Sequence, residues 1–133
     1  MSNTRLQYFL YHSQLAEGSG VDCVASIVKV ARQFNQASAL TGLLVFDGYR
    51  FCQYLEGPAP ALNSLIQRLS RDPRHTAFTP LLQAELEGAR RYQGWSMAYA
   101  YVDETDLLAT MADLEGASAL QYWQAMDSAL DKA

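Results

Sequence analysis

Residues 41–57 read TGLLVFDGYRFCQYLEG, and this stretch decides the fold. It contains two runs rich in β-branched and aromatic residues, 41–46 and 50–55. The two runs meet at Asp47-Gly48, a dipeptide that strongly favours a tight turn between antiparallel strands. The stretch therefore predicts a β-hairpin.

A helix is predicted directly after the hairpin. Gly57-Pro58-Ala59-Pro60 ends the second strand, and Asp72-Pro73 closes the helix. Its apolar positions follow helical spacing and are Leu62, Leu65, Ile66 and Leu69.

The residues before the hairpin predict one strand and one helix. Residues 5–11 are short, apolar and aromatic, as in a buried strand. Asp22 is predicted to cap a helix. Its apolar positions follow the same spacing and are Val24, Ile27, Val28 and Ala31.

After the second helix, residues 81–86 and 96–102 predict two more strands, and two short helices follow, separated at Gly116. The order βαββαββ and then two helices predicts an α+β, ferredoxin-like sheet with both internal helices on one face. We expect one compact unit, in which residues 1–103 form the sheet domain and residues 104–133 form a helical extension packed on it.

Alternation along the strands predicts that both faces of the sheet are apolar. Phe9 and Tyr11 share one face of the first strand, and Tyr8 and Leu10 share the other. The two internal helices cover one face only. We therefore expect the Leu, Met and Trp residues of the extension to cover the second face.

Composition limits the class of protein. The chain has 133 residues, a formal net charge of −4 and 18% charged residues, and it shows no basic stripe, so we expect no nucleic-acid partner. Cys23 and Cys52 lie at no metal-ligand spacing, so we expect reduced thiols and no metal. The beginning of the chain shows no leader and no apolar run reaches bilayer length, which predicts a cytoplasmic protein without membrane contact.

Gln53 does not fit a purely apolar core. It lies in the strand FCQYLEG at residues 51–57, between side chains that should be buried. A buried amide is costly unless it is hydrogen-bonded, and Tyr11 on a neighbouring strand can supply a phenol. On physical grounds alone, the favoured interpretation is that Tyr11 and Gln53 only satisfy each other's hydrogen-bonding groups in the core and have no further function.

Five motifs in order resemble the BLUF family of flavin photoreceptors, over roughly residues 5–103. They are Tyr11-His12-Ser13, residues 31–35 followed by Thr41-Gly42-Leu43-Leu44, residues 51–58, Asp72-Pro73-Arg74-His75, and Trp95-Ser96-Met97. Two positions depart from the family pattern. Ala39-Leu40 stands where Gly-Ile is commoner, and Phe34 stands where a polar residue is often found.

The resemblance implies a bound flavin between the two internal helices: FAD, with FMN or riboflavin also possible. The implied contacts are Tyr11, Ile27, Phe34, Asn35, Gln53, Arg68, Leu69, Asp72, Arg74 and His75. For Phe34, Leu44 and Phe46 an ordinary core role stays open. Arg68 alternatively forms a surface ion pair with Asp72, and Arg74 and His75 alternatively lie in a solvated loop.

The resemblance also implies a mechanism without a substrate, and hence no enzymatic activity. Tyr11 is the electron donor and Gln53 relays its proton, after which the amide is left tautomerised or rotated. Trp95 and Met97, two residues apart, are expected to share a face of the fifth strand and to complete the photoactive set, as residues that exchange places beside Gln53. An ordinary core role stays open for both. The signal is expected to pass to a downstream protein of unknown identity or through homo-oligomers.

Two other functions are compatible with the fold. An acylphosphatase-type hydrolase would need a glycine-rich anion loop after the first strand, and the sequence has none there. A light-independent ligand-binding or interaction module of ferredoxin-like fold is the remaining alternative, and a colourless protein that refuses added flavin would favour it.

Overall fold

A computed structural model describes residues 5–20 and 22–130, with backbone only at residue 105. The ends of the two predicted units, 1–4 and 131–133, and residue 21 lie outside the described residues. The elements are β1 (Leu6–Leu15), α1 (Cys23–Ala37), β2 (Thr41–Phe46), β3 (Arg50–Pro58), α2 (Ala59–Arg71), β4 (His75–Glu85), β5 (Ala98–Tyr101), α3 (Thr105–Met111) and α4 (Gly116–Ser128).

The strands form one five-stranded sheet in the order β4-β1-β3-β2-β5. The first four strands pair antiparallel, and β5 is added parallel to β2 at the edge. In this register Tyr11 on β1 lies directly opposite Gln53 on β3. The ferredoxin-like α+β architecture predicted from the sequence is confirmed.

The turn between β2 and β3 is held by Asp47. Its Oδ1 accepts hydrogen bonds from the backbone N–H groups of Tyr49 at 2.9 Å and Arg50 at 2.6 Å. Gly48 has a φ of +98°, which L side chains rarely adopt. The Asp-Gly dipeptide therefore forms the turn that its sequence predicts.

Two hydrophobic cores lie on opposite faces of the sheet. On one face Phe9, Tyr11 and Leu55 pack against α1 and α2. On the other, Leu10 and Tyr54 pack against α3 and α4. The expectation that the C-terminal helices cover the second face is confirmed, while the division at residues 103 and 104 stays a prediction.

Several predicted boundaries differ from the structure. β4 runs from His75 to Glu85 rather than over 81–86, because its first half is largely exposed at the sheet edge, where apolar alternation is not required. β1 extends to Leu15, and it pairs with β3 up to Gln14 and with β4 up to Leu15. Asp22 occupies the N-cap position of α1, as predicted, but its backbone is already helical and its side chain makes no capping hydrogen bond.

Among the described residues, no helix is long and apolar enough to cross a bilayer.

Ala39 occupies a backbone conformation that favours glycine. Its φ is +59°, and it is one of two non-glycine residues with positive φ in the part of the chain that the structure describes. A left-handed conformation costs an L-residue roughly 1–2 kcal/mol, partly offset by the extra entropy that glycine has when unfolded. We expect Ala39→Gly to raise the free energy of unfolding by about 0.5–1 kcal/mol, measured by urea denaturation.

A matched control is Ala125→Gly on the exposed side of α4. In a helix interior the same substitution should lower the free energy of unfolding by about 0.5–1 kcal/mol. Equal losses at both positions would contradict the strain assigned to Ala39.

Candidate functional site

Tyr11 and Gln53 form a buried pair below α1 and α2. The phenol of Tyr11 donates a hydrogen bond to Gln53 Oε1 at 2.5 Å, and the two residues are 3% and 4% exposed. Adjacent strands bring them together because Tyr11 and Gln53 are direct partners in the β1–β3 register. The partner that the sequence requires for the buried amide is therefore Tyr11.

The other end of the Gln53 amide faces Met97. Gln53 Nε2 donates to the Met97 sulfur at 3.4 Å, and Met97 is buried. Trp95 is instead 47% exposed and lies with its ring 6.5 Å from that of Tyr92. The predicted placement of Trp95 and Met97 on a face of the fifth strand is wrong, because both precede β5, which begins at Ala98.

Asn35, near the end of α1, contributes an unpartnered acceptor. Its Nδ2 donates to the Ser96 carbonyl at 2.7 Å. The fully buried Oδ1 has no hydrogen-bond partner among the described residues. A buried polar atom of this kind is costly unless something pairs with it, so Oδ1 marks a position for a donor.

These groups form the polar end of a cleft between α1 and α2. Of the ten residues predicted to contact a flavin, eight line it: Tyr11, Ile27, Asn35, Gln53, Leu69, Asp72, Arg74 and His75. Five further residues share the lining, namely Ala31, Leu44, Phe51, Leu65 and Met97. The cleft is thus mostly apolar with a few convergent polar groups, as is usual for a small-molecule site.

Phe34 and Arg68 do not line this cleft. They face each other across an adjoining groove between α1 and α2, with the Arg68 guanidinium 4.4 Å from the Phe34 ring centroid. This cation–π contact differs from the ion pair with Asp72 that the helical spacing allowed.

Asp72 pairs instead with Arg74. The closest contact joins Arg74 Nη2 to Asp72 Oδ2 at 2.7 Å, and Arg74 Nε also donates to this carboxylate. The hydrogen bonds from Arg74 hold the pKa of Asp72 below its usual value. The two charges therefore largely neutralise each other at the rim of the cleft.

His75 has both ring nitrogens engaged by the protein. Its Nε2–H donates to the Leu69 carbonyl, so in the neutral ring Nδ1 accepts from the Ser13 hydroxyl at 2.8 Å. The ring also packs against Tyr11, with centroids 6.1 Å apart. His75 is thus placed to shape the wall of the cleft.

Burial keeps the Tyr11 phenol neutral. Desolvation raises the pKa of Tyr11 above its ordinary value of 10, and nearby Cys52 and Asp72 raise it further. The proton therefore stays on the phenol at any physiological pH unless the electronic state of the ring changes.

Sequence reasoning missed two polar residues, one beside the cleft and one on the opposite face of the sheet. Arg32 Nε donates to the Met97 carbonyl at 2.9 Å. Glu56 is fully buried three residues after Gln53. The signal that identified Gln53, a polar side chain in a buried strand, applies equally to Glu56.

Within the described ranges, 5–20 and 22–130, no group of three or more His, Cys, Asp or Glu residues is arranged to hold a metal ion.

The fold and the cleft define a ligand-binding α+β domain with a hydrogen-bonding Tyr–Gln pair at the inner end of its site. Residues 6–98 match the family described as BLUF, sensors of blue-light using FAD. The chain belongs to this family.

Two curated relatives show the kinds of protein to which this chain is similar. The chain is 32% identical over 87 residues, 65% of its length, to the blue light- and temperature-regulated antirepressor BluF of Escherichia coli (strain K12). It is 30% identical over 113 residues, 85% of its length, to photoactivated adenylate cyclase subunit beta of Euglena gracilis. The matches cover 21% and 13% of those relatives, so the chain spans about a fifth of their length or less.

Solved structures agree on the fold. The dark-state structure of the BLUF protein BlrB matches with a TM-score of 0.79 and 26% identity over 95% of this chain and 97% of that one. The photo-activated state of BlsA matches with a TM-score of 0.81 over 96% and 98% of the two chains, and its 22% identity supports the fold alone.

The residues of the cleft fit a flavin. A flavin has an apolar ring system and a rim of carbonyl and imide groups. The unpartnered Asn35 Oδ1 suits an imide N–H donor, and the Asn35 and Gln53 amides suit the carbonyl rim. Ile27 and Leu69 supply apolar walls from the two facing helices.

Proposed function

We propose that this chain is a blue-light photoreceptor in which Tyr11 and Gln53 respond to a flavin bound between α1 and α2 and pass the signal to another protein. The 2.5 Å hydrogen bond from Tyr11 to Gln53 at the inner end of the cleft carries this proposal. FAD is the flavin favoured by the family description, with FMN or riboflavin as alternatives.

The proposed site has a binding part and a photoactive part. Asn35, Gln53 and Tyr11 would contact the polar edge of the flavin ring system, and Ile27 and Leu69 would contact its two faces. Asp72, Arg74 and His75 would meet the remainder of the ligand at the rim of the cleft. Phe34 and Arg68 would act from the adjoining groove.

When bound and excited by blue light, the flavin supplies a one-electron oxidant. Tyr11 gives up the electron and thereby becomes far more acidic than a resting phenol, whose pKa is about 10. Its proton then passes along the existing hydrogen bond to Gln53 Oε1. Once Tyr11 has recovered its electron and proton, the Gln53 amide is left tautomerised or rotated, so that it no longer presents the same donor to Met97.

The proposed output is a second protein. The sequence of the described cleft supplies a light-responsive site, and a similar sequence occurs in a photoactivated adenylate cyclase subunit of Euglena gracilis. The proposal therefore includes a downstream protein or self-assembly into a homo-oligomer. It also keeps the cytoplasmic location, without nucleic-acid or membrane contacts, that composition predicts.

The proposal is tested on the purified full chain by absorption spectroscopy in the dark and under blue light. The protein should be yellow, and illumination should shift the flavin absorption reversibly to the red. Tyr11→Phe removes the donor hydroxyl with little change of volume. We expect this variant to keep the flavin, fluoresce more strongly and form no stable light state.

Two outcomes would contradict the proposal in different ways. A colourless wild-type protein that refuses added flavin would favour the light-independent binding module. A normal light state in Tyr11→Phe would assign the electron donor to another residue, such as Trp95 or Tyr8.

A further inference from the structure

Strand β3 carries two buried polar side chains on opposite faces of the sheet. Gln53 faces the cleft. Glu56, three residues later, faces the side covered by α3 and α4, as alternation along a strand requires. The proposed photochemistry uses Gln53 and assigns nothing to Glu56, which is 0% exposed.

The Glu56 carboxylate holds two consecutive peptide groups. Its Oε1 accepts from the backbone N–H of Arg91 at 2.8 Å, and its Oε2 from that of Tyr92 at 2.7 Å. The Thr41 hydroxyl donates to Oε2 at 2.9 Å. A buried carboxyl group is stable only when it is satisfied in this way, so Glu56 fixes the backbone at residues 91 and 92 against β3.

Residues 90–97, here called the connecting segment, are also anchored at their other end. The carbonyls of Trp95, Ser96 and Met97 accept hydrogen bonds at 3.1, 2.7 and 2.9 Å from Gly42 N–H, Asn35 Nδ2 and Arg32 Nε, respectively. The Met97 side chain meets Gln53. This end of the connecting segment is therefore part of the cleft.

The residues that Glu56 holds are the ones that bind α4. Arg91 Nε donates to Asp127 Oδ2 at 2.8 Å. Trp123 Nε1 donates to the Tyr92 hydroxyl at 3.0 Å. The Trp123–Tyr92 contact is buried in the core beneath α3 and α4, whereas the Arg91–Asp127 contact is partly buried at its edge.

We propose that Glu56 is a positioning residue that keeps the connecting segment rigid. The rigid segment couples the Gln53–Met97 contact to α4 through Arg91 and Tyr92. The inference rests on the proposed function and adds the route by which its signal leaves the cleft. A ligand or light state shifts an equilibrium only through contacts that differ between the two states. The contact that differs here is the one from Gln53 Nε2 to Met97. Because Glu56 holds the backbone of Arg91 and Tyr92 in place, a displacement of Met97 is transmitted along the connecting segment to these two residues.

Glu56→Gln in the flavin-loaded full chain tests this coupling. The amide keeps the volume of the carboxylate but has one acceptor oxygen, so one of the two backbone N–H groups loses its partner. We expect flavin binding and a red shift to remain. The light-minus-dark difference in amide exchange at α4 should fall about fivefold, the ratio that corresponds to one typical hydrogen bond.

Two further variants locate the effect. Glu85→Gln makes the same change at an exposed residue and should behave as the wild type. Asp127→Asn weakens one of the two contacts to α4 and leaves Glu56 in place, so the α4 light response should be reduced while dark recovery of the flavin spectrum stays at the wild-type rate. Glu56→Gln should change that rate as well, because it loosens the segment beside Gln53.

An α4 light response of wild-type size in Glu56→Gln would overturn the coupling, even with a normal photocycle. A wild-type protein without any red shift would instead overturn the proposed function. If far-UV circular dichroism shows that Glu56→Gln does not fold, Thr41→Val replaces it as the test. Thr41→Val keeps Glu56 and removes two bonds at the start of the connecting segment, the one that Thr41 donates to Glu56 and the one that Arg90 Nη1 donates to Thr41. A smaller reduction at α4 supports the proposal, and an unchanged α4 response contradicts it.

Discussion

Gln53→Leu is expected to keep the flavin and to abolish the light-induced red shift. Leucine has a similar volume, so the cleft should remain closed around the ligand. It has no amide to accept the Tyr11 proton or to turn toward the flavin rim. The leucine leaves the buried Tyr11 hydroxyl without its acceptor, at a cost of about 1–3 kcal/mol, so the variant should still fold.

Difference spectroscopy under saturating blue light measures this effect. Gln67→Leu, the same substitution on the exposed side of α2, should photocycle normally. A normal red shift in Gln53→Leu would show that the Tyr11–Gln53 pair only satisfies itself in the core, which is the interpretation that physical reasoning from the sequence first favoured.

The sequence predicts the fold well because local and long-range signals agree. Asp47-Gly48 sets the β2–β3 register, which places Gln53 opposite Leu44. The β1–β3 register, a long-range pairing, places Gln53 opposite Tyr11. The same period-two alternation predicts which side chains form each core. The largely exposed first half of β4 escaped prediction because an edge strand does not need a regular alternation of apolar residues.

The site could be predicted only in part. The Tyr11–Gln53 pair follows from the cost of burying an amide, and the family motifs add Asn35. The positions of Met97 and Trp95 depend on where β5 begins. That boundary is set by hydrogen bonds to the backbone from Asn35 and Arg32, which no local pattern reveals.

The role proposed for Glu56 could not be predicted from the sequence. A glutamate at the end of a strand is usually exposed, and its burial depends on Arg91 and Tyr92, 35 and 36 residues further along the chain. A single sequence does not bring these positions together. A polar residue within a buried strand nevertheless justifies asking where its partners lie, whether it is Gln53 or Glu56.

Trp123→Ala is expected to cause the largest loss of stability. Trp123 is fully buried, stacks on Tyr54 with ring centroids 6.0 Å apart, and donates to the Tyr92 hydroxyl. Truncating a buried tryptophan typically costs about 3–5 kcal/mol. For a chain of this size that should lower the melting temperature by about 10–20 °C. Thermal denaturation followed by far-UV circular dichroism measures it.

Gln124→Ala is the matched control, because Gln124 is the exposed neighbour of Trp123 on α4 and should change stability little. The flavin site lies on the opposite face of the sheet, so below its melting temperature Trp123→Ala should still bind flavin and show the red shift. A small loss of stability would mean that α4 contributes little to the second core. If the red shift also disappeared at low temperature, the cleft would depend on α4 directly, and the packing of α4 would then serve the photochemistry as well as the output.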